Sequence, residues 1–331
     1  MTYPKPLSEK TLRKKYEEAH ISDDVREFLH NFFAACANLY GTVDINEIWE
    51  IYRELKDDFP RIHKTDLVRF SAIARREKNP YYIYEVEELY PEEPHNDFER
   101  QLINSALVRN GYTKLFYFYQ LIKSRSSVPF YIPDDLLSYA QGGYTKTDLE
   151  FLRFLSGLTS SAETCTYGLG KSIPNVNRGK KLGEFSFLNA LERYYLEYYE
   201  KKPSMAETFM KNASVTEAEK VLNDIILFNN IGHVPVGTQL RIVVSELEEA
   251  GVQFTKKQLT TFLKLFLKHN NESRLWCLCG HTPVELNSMY EPGLPKSMTF
   301  GPGMQKAFSD GSVDKDAVFA KLREMGIEIV E

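Results

Sequence analysis

Apolar side chains recur every three to four positions between Val25 and Leu39, and this spacing constrains the fold more than any other feature. Val25, Phe28, Leu29, Phe32, Phe33, Cys36 and Leu39 fall on one side of a helix, with Ser22 as a cap before the run and Gly41 as its stop. The pattern repeats. Asp44 is placed to cap a second helix carrying Ile45, Ile48, Trp49, Tyr52 and Leu55, which Pro60 ends. Lys64 or Thr65 opens a third, with Leu67, Phe70, Ile73 and Ala74 inward, broken at Asn79-Pro80. The aromatic, β-branched run Tyr81-Tyr82-Ile83-Tyr84-Glu85-Val86 then favours a strand. Three short helices followed by a strand are the outline of a winged-helix unit.

Beyond it, residues 97–123 read as one or two helices, and Ser124, Ser127 and Pro129 mark a boundary. Residues 147–158 read as helical, and 159–184, dense in Ser, Thr, Gly, Asn and Pro, as a long loop. An aromatic-rich helix is expected over 188–200. Ser214-Val215-Thr216-Glu217, Thr255-Lys256-Lys257-Gln258 and Thr282-Pro283-Val284-Glu285 have capping-box spacing, and a further helix is expected over 238–250 before Gly251. A last helix is expected over 314–325, with a short strand at 327–330. The expected architecture is therefore mainly α: a multi-domain helical protein with a winged-helix-like N-terminal part and a few short strands. Its divisions fall at 1–124 (winged-helix-like or small helical), 125–290 (helical, with the loop at 159–184) and 291–331 (a loop-and-helix tail).

Composition narrows the function classes. With 43% hydrophobic and 26% charged residues, the 331-residue chain is neither disordered nor collagen-like. No apolar leader follows Met1, and no run approaches the ~20 apolar residues that span a bilayer. Four cysteines cannot staple a chain of this length, so reduced thiols and a cytoplasmic location are expected. A net charge of −5 argues against a nucleic-acid coat over the whole surface, but it is a sum of unlike segments. The first 60 residues hold 8 Lys/Arg and 12 Asp/Glu, whereas 61–79 hold six and two, 170–181 four and none, and 253–281 five and one.

The basic segment 61–79 coincides with the third helix. Lys64, Arg69, Arg75, Arg76 and Lys78 are thus the candidate nucleic-acid-binding residues, since cationic side chains on a recognition helix attract phosphates. The acidic run Glu85, Glu87, Glu88, Glu92 and Glu93 that follows is unlike a DNA-facing wing. Cys277, Cys279 and His281 are a candidate metal set, because thiolate and imidazole bind Zn²⁺, although a closed site takes four ligands. Arg274, Trp276 and His281 form a candidate polar site. Tyr167-Gly168-Leu169-Gly170-Lys171-Ser172 ends like a phosphate-binding loop but has Cys165 where the first glycine belongs. No G-x-S-x-G elbow is present, and Cys36 lies on an apolar helix face.

Two stretches carry a family resemblance. One is Pro129-Phe130-Tyr131-Ile132-Pro133 with Leu136-Leu137-Ser138-Tyr139-Ala140 and Tyr144. The other is Asn270-Asn271-Glu272-Ser273-Arg274-Leu275-Trp276, then Gly280-His281-Thr282-Pro283-Val284-Glu285-Leu286, continuing through Pro295 to Gln305 and closing at Met325-Gly326-Ile327-Glu328-Ile329. Together they resemble uncharacterised bacterial proteins that often carry a C-terminal SEC-C zinc-binding motif. The motif itself is absent here, and Cys277 and Cys279 lie upstream of where it would stand, so its metal is not carried over. The resemblance implies no activity. The expected function is a non-enzymatic interaction or regulatory protein without a cofactor, its partner either a protein or a nucleic acid. The alternatives are nucleic-acid binding through helix 64–78, or an enzyme of unknown class.

Overall fold

The computed structural model describes residues 3–108, 115–166, 172–175, 177–186, 215–232 and 234–289, with short pieces at 297–298, 309, 315, 318–319 and 328–329. The helix expected over 188–200, most of the one over 314–325, and the loop 167–171 lie outside the described residues. The chain divides into two compact units, residues 1–283 and 284–331. It is mainly helical, with twelve α-helices and a small three-stranded antiparallel sheet among the described residues. None of those helices is long and apolar enough to cross a membrane.

The first core forms around α2 (Asp23–Tyr40). Ser22 caps it by accepting from the Val25 N–H, and Gly41 ends it at φ +73°, its N–H donating to Ala37 O. Phe32, Phe33, Leu29 and Cys36 are fully buried along its inner face. Burying each large apolar side chain contributes about 1.5–3 kcal/mol relative to exposure. Strand β1 (Thr42–Asp44) leads into α3 (Ile45–Leu55), whose capping box is complete: the Glu47 N–H donates to Asp44 at 2.7 Å and the Asp44 N–H to Glu47 at 2.8 Å. Then come α4 (Lys64–Ala74) and strand β2 (Tyr81–Tyr84). A short helix α5 (Val86–Leu89) precedes strand β3 (Gln101–Asn104).

Gln101 to Asn104 belong to the segment read from sequence as helical, and the structure corrects that reading. β3 is the central strand, antiparallel to both neighbours in the order β1-β3-β2, with Ile103 opposite Thr42 on one side and Tyr82 on the other. Leu102 and Ile103 are both fully buried, so two adjacent apolar residues serve opposite faces. Periodicity cannot distinguish such a run from a helical turn.

Two short helices follow, α6 (Ser105–Val108) and α7 (Phe116–Ser124). Residues 125–141, assigned from sequence to the middle division, pack on α2: Leu136 lies in the first core, and the Asn38 amide donates to Tyr139 O at 2.8 Å. A second core joins α8 (Lys146–Gly157), α9 (Glu217–Ile231), α10 (Val236–Glu249) and α11 (Lys256–Glu272) through Phe151, Leu155, Val221, Leu222, Val243, Leu247, Phe262 and Phe266. The box opening α9 closes two residues later than its first match in sequence, between Thr216 and Glu219. The described part of 159–184 is tied down rather than open. It holds a hairpin of β4 (Thr164–Thr166) and β5 (Ser172–Pro174), and the Ser160 hydroxyl donates to Ala250 O at 2.7 Å. A third cluster, with Ile103, Leu107, Phe118, Leu121, Ile231, Leu275 and Trp276, completes the first unit. In the second unit, α12 (Pro283–Met289) is followed by parallel β6 (Ser297–Met298) and β7 (Glu328–Ile329).

Candidate functional site

Four positions on one side of α4, Lys64, Val68, Ser71 and Arg75, follow the helical repeat, and segment 85–100 lies along all four. The Lys64 ammonium sits 5.0 Å from the centre of the Phe98 ring. Arg100 donates to Val68 O at 3.1 Å and to the Ser71 hydroxyl at 3.0 Å. Arg75 pairs with Glu85 and, at 2.7 Å, with Glu88. Arg100 pairs with Glu85 at 2.6 Å and with Asp97. The Arg100 and Arg75 side chains are only 5% and 12% exposed, so these charges are structural. Two of the five carboxylates of the acidic run, Glu85 and Glu88, thus neutralise guanidinium groups beside α4.

This divides the five candidate nucleic-acid-binding residues. Arg75 is taken up by Glu85 and Glu88, and Lys64 faces Phe98. Arg69 lies on the open side with Thr65 and Ala72. Its side chain is 55% exposed and reaches Asp66 at 3.4 Å. Arg76 is half-buried and donates to Lys5 O at 3.1 Å, and Lys78 is exposed past the helix end.

The other flank of α4 holds a helix that sequence reading missed, α1 (Glu9–Glu18), capped by Ser8. Its Tyr16 is buried 6.1 Å from the Phe70 ring and donates to Glu77. The Leu7 N–H donates to Arg76 O at 2.8 Å. Lys5, Lys10, Arg13, Lys14 and Lys15 are exposed along this segment. Its local signal is Ser8 as a cap before Glu9 and the Leu12/Tyr16 spacing, a short one on a mostly charged segment.

The candidate polar and metal residues occupy the seam between the first and third cores. Each bonds a main-chain carbonyl. The Trp276 indole N–H donates to Asn38 O at 2.8 Å, and Arg274 donates to Gly280 O at 3.1 Å. Cys277 donates to Asn229 O and Cys279 to Ser126 O, each at 3.5 Å, and His281 Nε2 donates to Pro129 O at 3.0 Å. Arg274 and His281 both lie against Tyr131: the guanidinium stands 3.5 Å and the imidazole 5.5 Å from the ring centre. Arg125, which the sequence did not single out, donates to Tyr40 O at 2.7 Å and Thr42 O at 2.9 Å, closing the end of α2. Burial pushes the Cys277 thiol up to about 11 and raises Cys279 as well, although Arg125 opposes both. A metal takes the thiolate, and here the two thiols point to different segments. The acidic run and its neighbours supply the one metal-like grouping among the described residues, Glu85, Glu87 and His95, but Arg75 and Arg100 already hold the two oxygens of Glu85.

A second buried polar group links α8, α9 and α11. His269, 1% exposed, meets Asp148 at 2.7 Å through Nε2 and the Asn229 amide at 3.1 Å through Nδ1. Burial alone would raise the Asp148 carboxyl, but hydrogen bonds from His269 and Thr145 hold it below the usual range. With both ring nitrogens engaged, this pair ties helices together.

Comparison of the chain with protein-family models, with curated proteins and with solved structures found no match. The functional reading therefore stands on the geometry.

Proposed function

We propose that the chain is a non-enzymatic binding protein and that residues 23–104 form a winged-helix unit serving as its docking module. The element order α2-β1-α3-α4-β2-α5-β3, with the one-turn α5 inside the β2–β3 connection, and the strand order β1-β3-β2 support this reading. On this reading α4 is the recognition helix and segment 85–100 the wing. The observation that carries the non-enzymatic part is the commitment of Arg274, Trp276, Cys277, Cys279 and His281 to main-chain carbonyls. An active site would aim such groups at a pocket; here each spends at least one polar atom on the backbone, Arg274 Nε goes to the Tyr139 hydroxyl, and His281 Nδ1 alone among them is buried without a hydrogen-bond partner.

Two measurements test the reading. Incubated with a mixture of cellular metabolites and followed by NMR, the protein is expected to change none of them. Reproducible turnover that a point substitution such as His281→Ala abolishes, with the fold retained, would overturn it. Capture from cell extract on the immobilised protein is expected to retain a macromolecule that Arg69→Glu releases.

A further inference from the structure

We propose that α1 and the open side of α4 form one cationic surface that binds double-stranded nucleic acid through its phosphates, without reading sequence. This rests on the reading of the N-terminal unit as a docking module and names the partner of that module.

Tertiary contact creates the surface. Residues 5–18 and 61–78 are far apart in sequence, and the bonds from Leu7 to Arg76 and from Arg76 to Lys5 bring them side by side. The two segments together hold eleven Lys/Arg and five acids in a chain whose total is −5, so positive charge is concentrated here against the sign of the whole. Arg75 is neutralised internally by Glu85 and Glu88 and contributes nothing outward. Lys10, Arg13, Lys14, Arg61, Arg69 and Lys78 are all exposed. Arg13 and Lys14 pair with Glu17 and Glu18, but those pairs are more than three-fifths exposed on both sides and so are weak enough for a phosphate to displace.

The surface also lacks what a protein partner would use. Among the described residues, no large exposed hydrophobic side chain lies on α1 or α4. Protein interfaces concentrate their energy in aromatic and apolar anchors seated in pockets. Phosphate binding takes its energy from charge neutralisation and counterion release. The short side chains of Thr65 and Ala72 beside Arg69 leave room for a backbone to approach. The exposed Glu92 and Glu93 repel phosphate from the wing side, so the duplex lies toward α1 and the base edges go unread.

The test is fluorescence anisotropy of two short labelled duplexes of unrelated sequence, titrated with the full chain. Both are expected to bind equally at about 50 mM salt and to weaken by more than roughly tenfold at about 200 mM. The triple variant Lys10→Glu, Arg13→Glu, Lys14→Glu alters only exposed side chains. It is expected to melt like the parent and to bind roughly tenfold or more weakly, whereas Lys256→Glu with Lys257→Glu at the start of α11 binds like the parent. Absence of binding at the lower salt, or parent-like binding by the α1 variant, would overturn the proposal. So would tight binding of polyglutamate in place of duplex, which would assign the surface to an acidic protein. If duplex fails while Arg69→Glu still releases a captured partner, the docking-module reading survives this inference; if both fail, neither stands.

Discussion

The ring of Trp276 stands so close over Gly41 that a β-carbon at position 41 would lie 2.6 Å from it. Gly41 ends α2 at φ +73°, and the indole N–H is bonded to Asn38 O on the same helix. The glycine is thus required twice, by backbone conformation and by contact. Gly41→Ala is expected to destabilise the protein by about 2–4 kcal/mol, combining a left-handed alanine with overpacking against a tethered ring. Urea unfolding followed by Trp fluorescence measures it, and a loss below about 0.5 kcal/mol would show that the ring moves freely.

Arg100 ties segment 85–100 to α4 with the side chain 5% exposed and partners at Glu85, Asp97, Val68 O and Ser71. Arg100→Ala strands Glu85 beside Arg75 alone and leaves polar groups without their donor. Its expected cost is about 3–5 kcal/mol. Arg69→Ala on the open side is expected to fall within about 0.5 kcal/mol of the parent. Equal effects of the two substitutions in denaturant melts would contradict this division of the helix.

Glu217 is 1% exposed, and one of its carboxylate oxygens lacks a hydrogen-bond partner. Burial raises it to about 7; Lys220 opposes the shift, and Glu246 and Asp224 add to it. A carboxyl raised on folding stabilises the protein fully below its unfolded value near 4.5, and that contribution is lost as pH rises through 7. That contribution is worth about 3 kcal/mol. Glu217→Gln is therefore expected to gain stability on the parent between pH 5 and 8, read as a flatter Tm profile. Parallel profiles would rule the linkage out.

Arg125 caps the end of α2 with two bonds from one planar group, to Tyr40 O and Thr42 O. Lys has no fork to make both. Arg125→Lys is expected to cost about 1–3 kcal/mol and to speed amide exchange at the α2–β1 turn. Unchanged exchange there would show that the second bond is dispensable.

The local helices were legible because their causes are local. Ser22 and Gly41 around α2, and Asp44 with Glu47 at α3, act within a few residues of themselves, and the inward Phe and Leu positions follow from the helical repeat. Strand β3 was not legible, because Leu102 and Ile103 become a strand only when β1 and β2 supply ladder partners on both sides. Trp276, a member of the candidate polar site, is a buried anchor, and the sequence could not say what it anchors. Asn38 lies 238 positions away.

The basic helix shows the same limit in the site. The sequence by itself determined that 61–79 is cationic and that a helix opens at its Lys64, because charge and periodicity are properties of the residues in order. Only the tertiary structure decided which of those charges face outward. Arg75 met Glu85 and Glu88 of the segment after β2, Lys64 met Phe98, and α1 arrived with its own lysines on the other flank. A charge acts on a partner only if it is not already neutralised, and neutralisation depends on distance in space, which residue order does not contain.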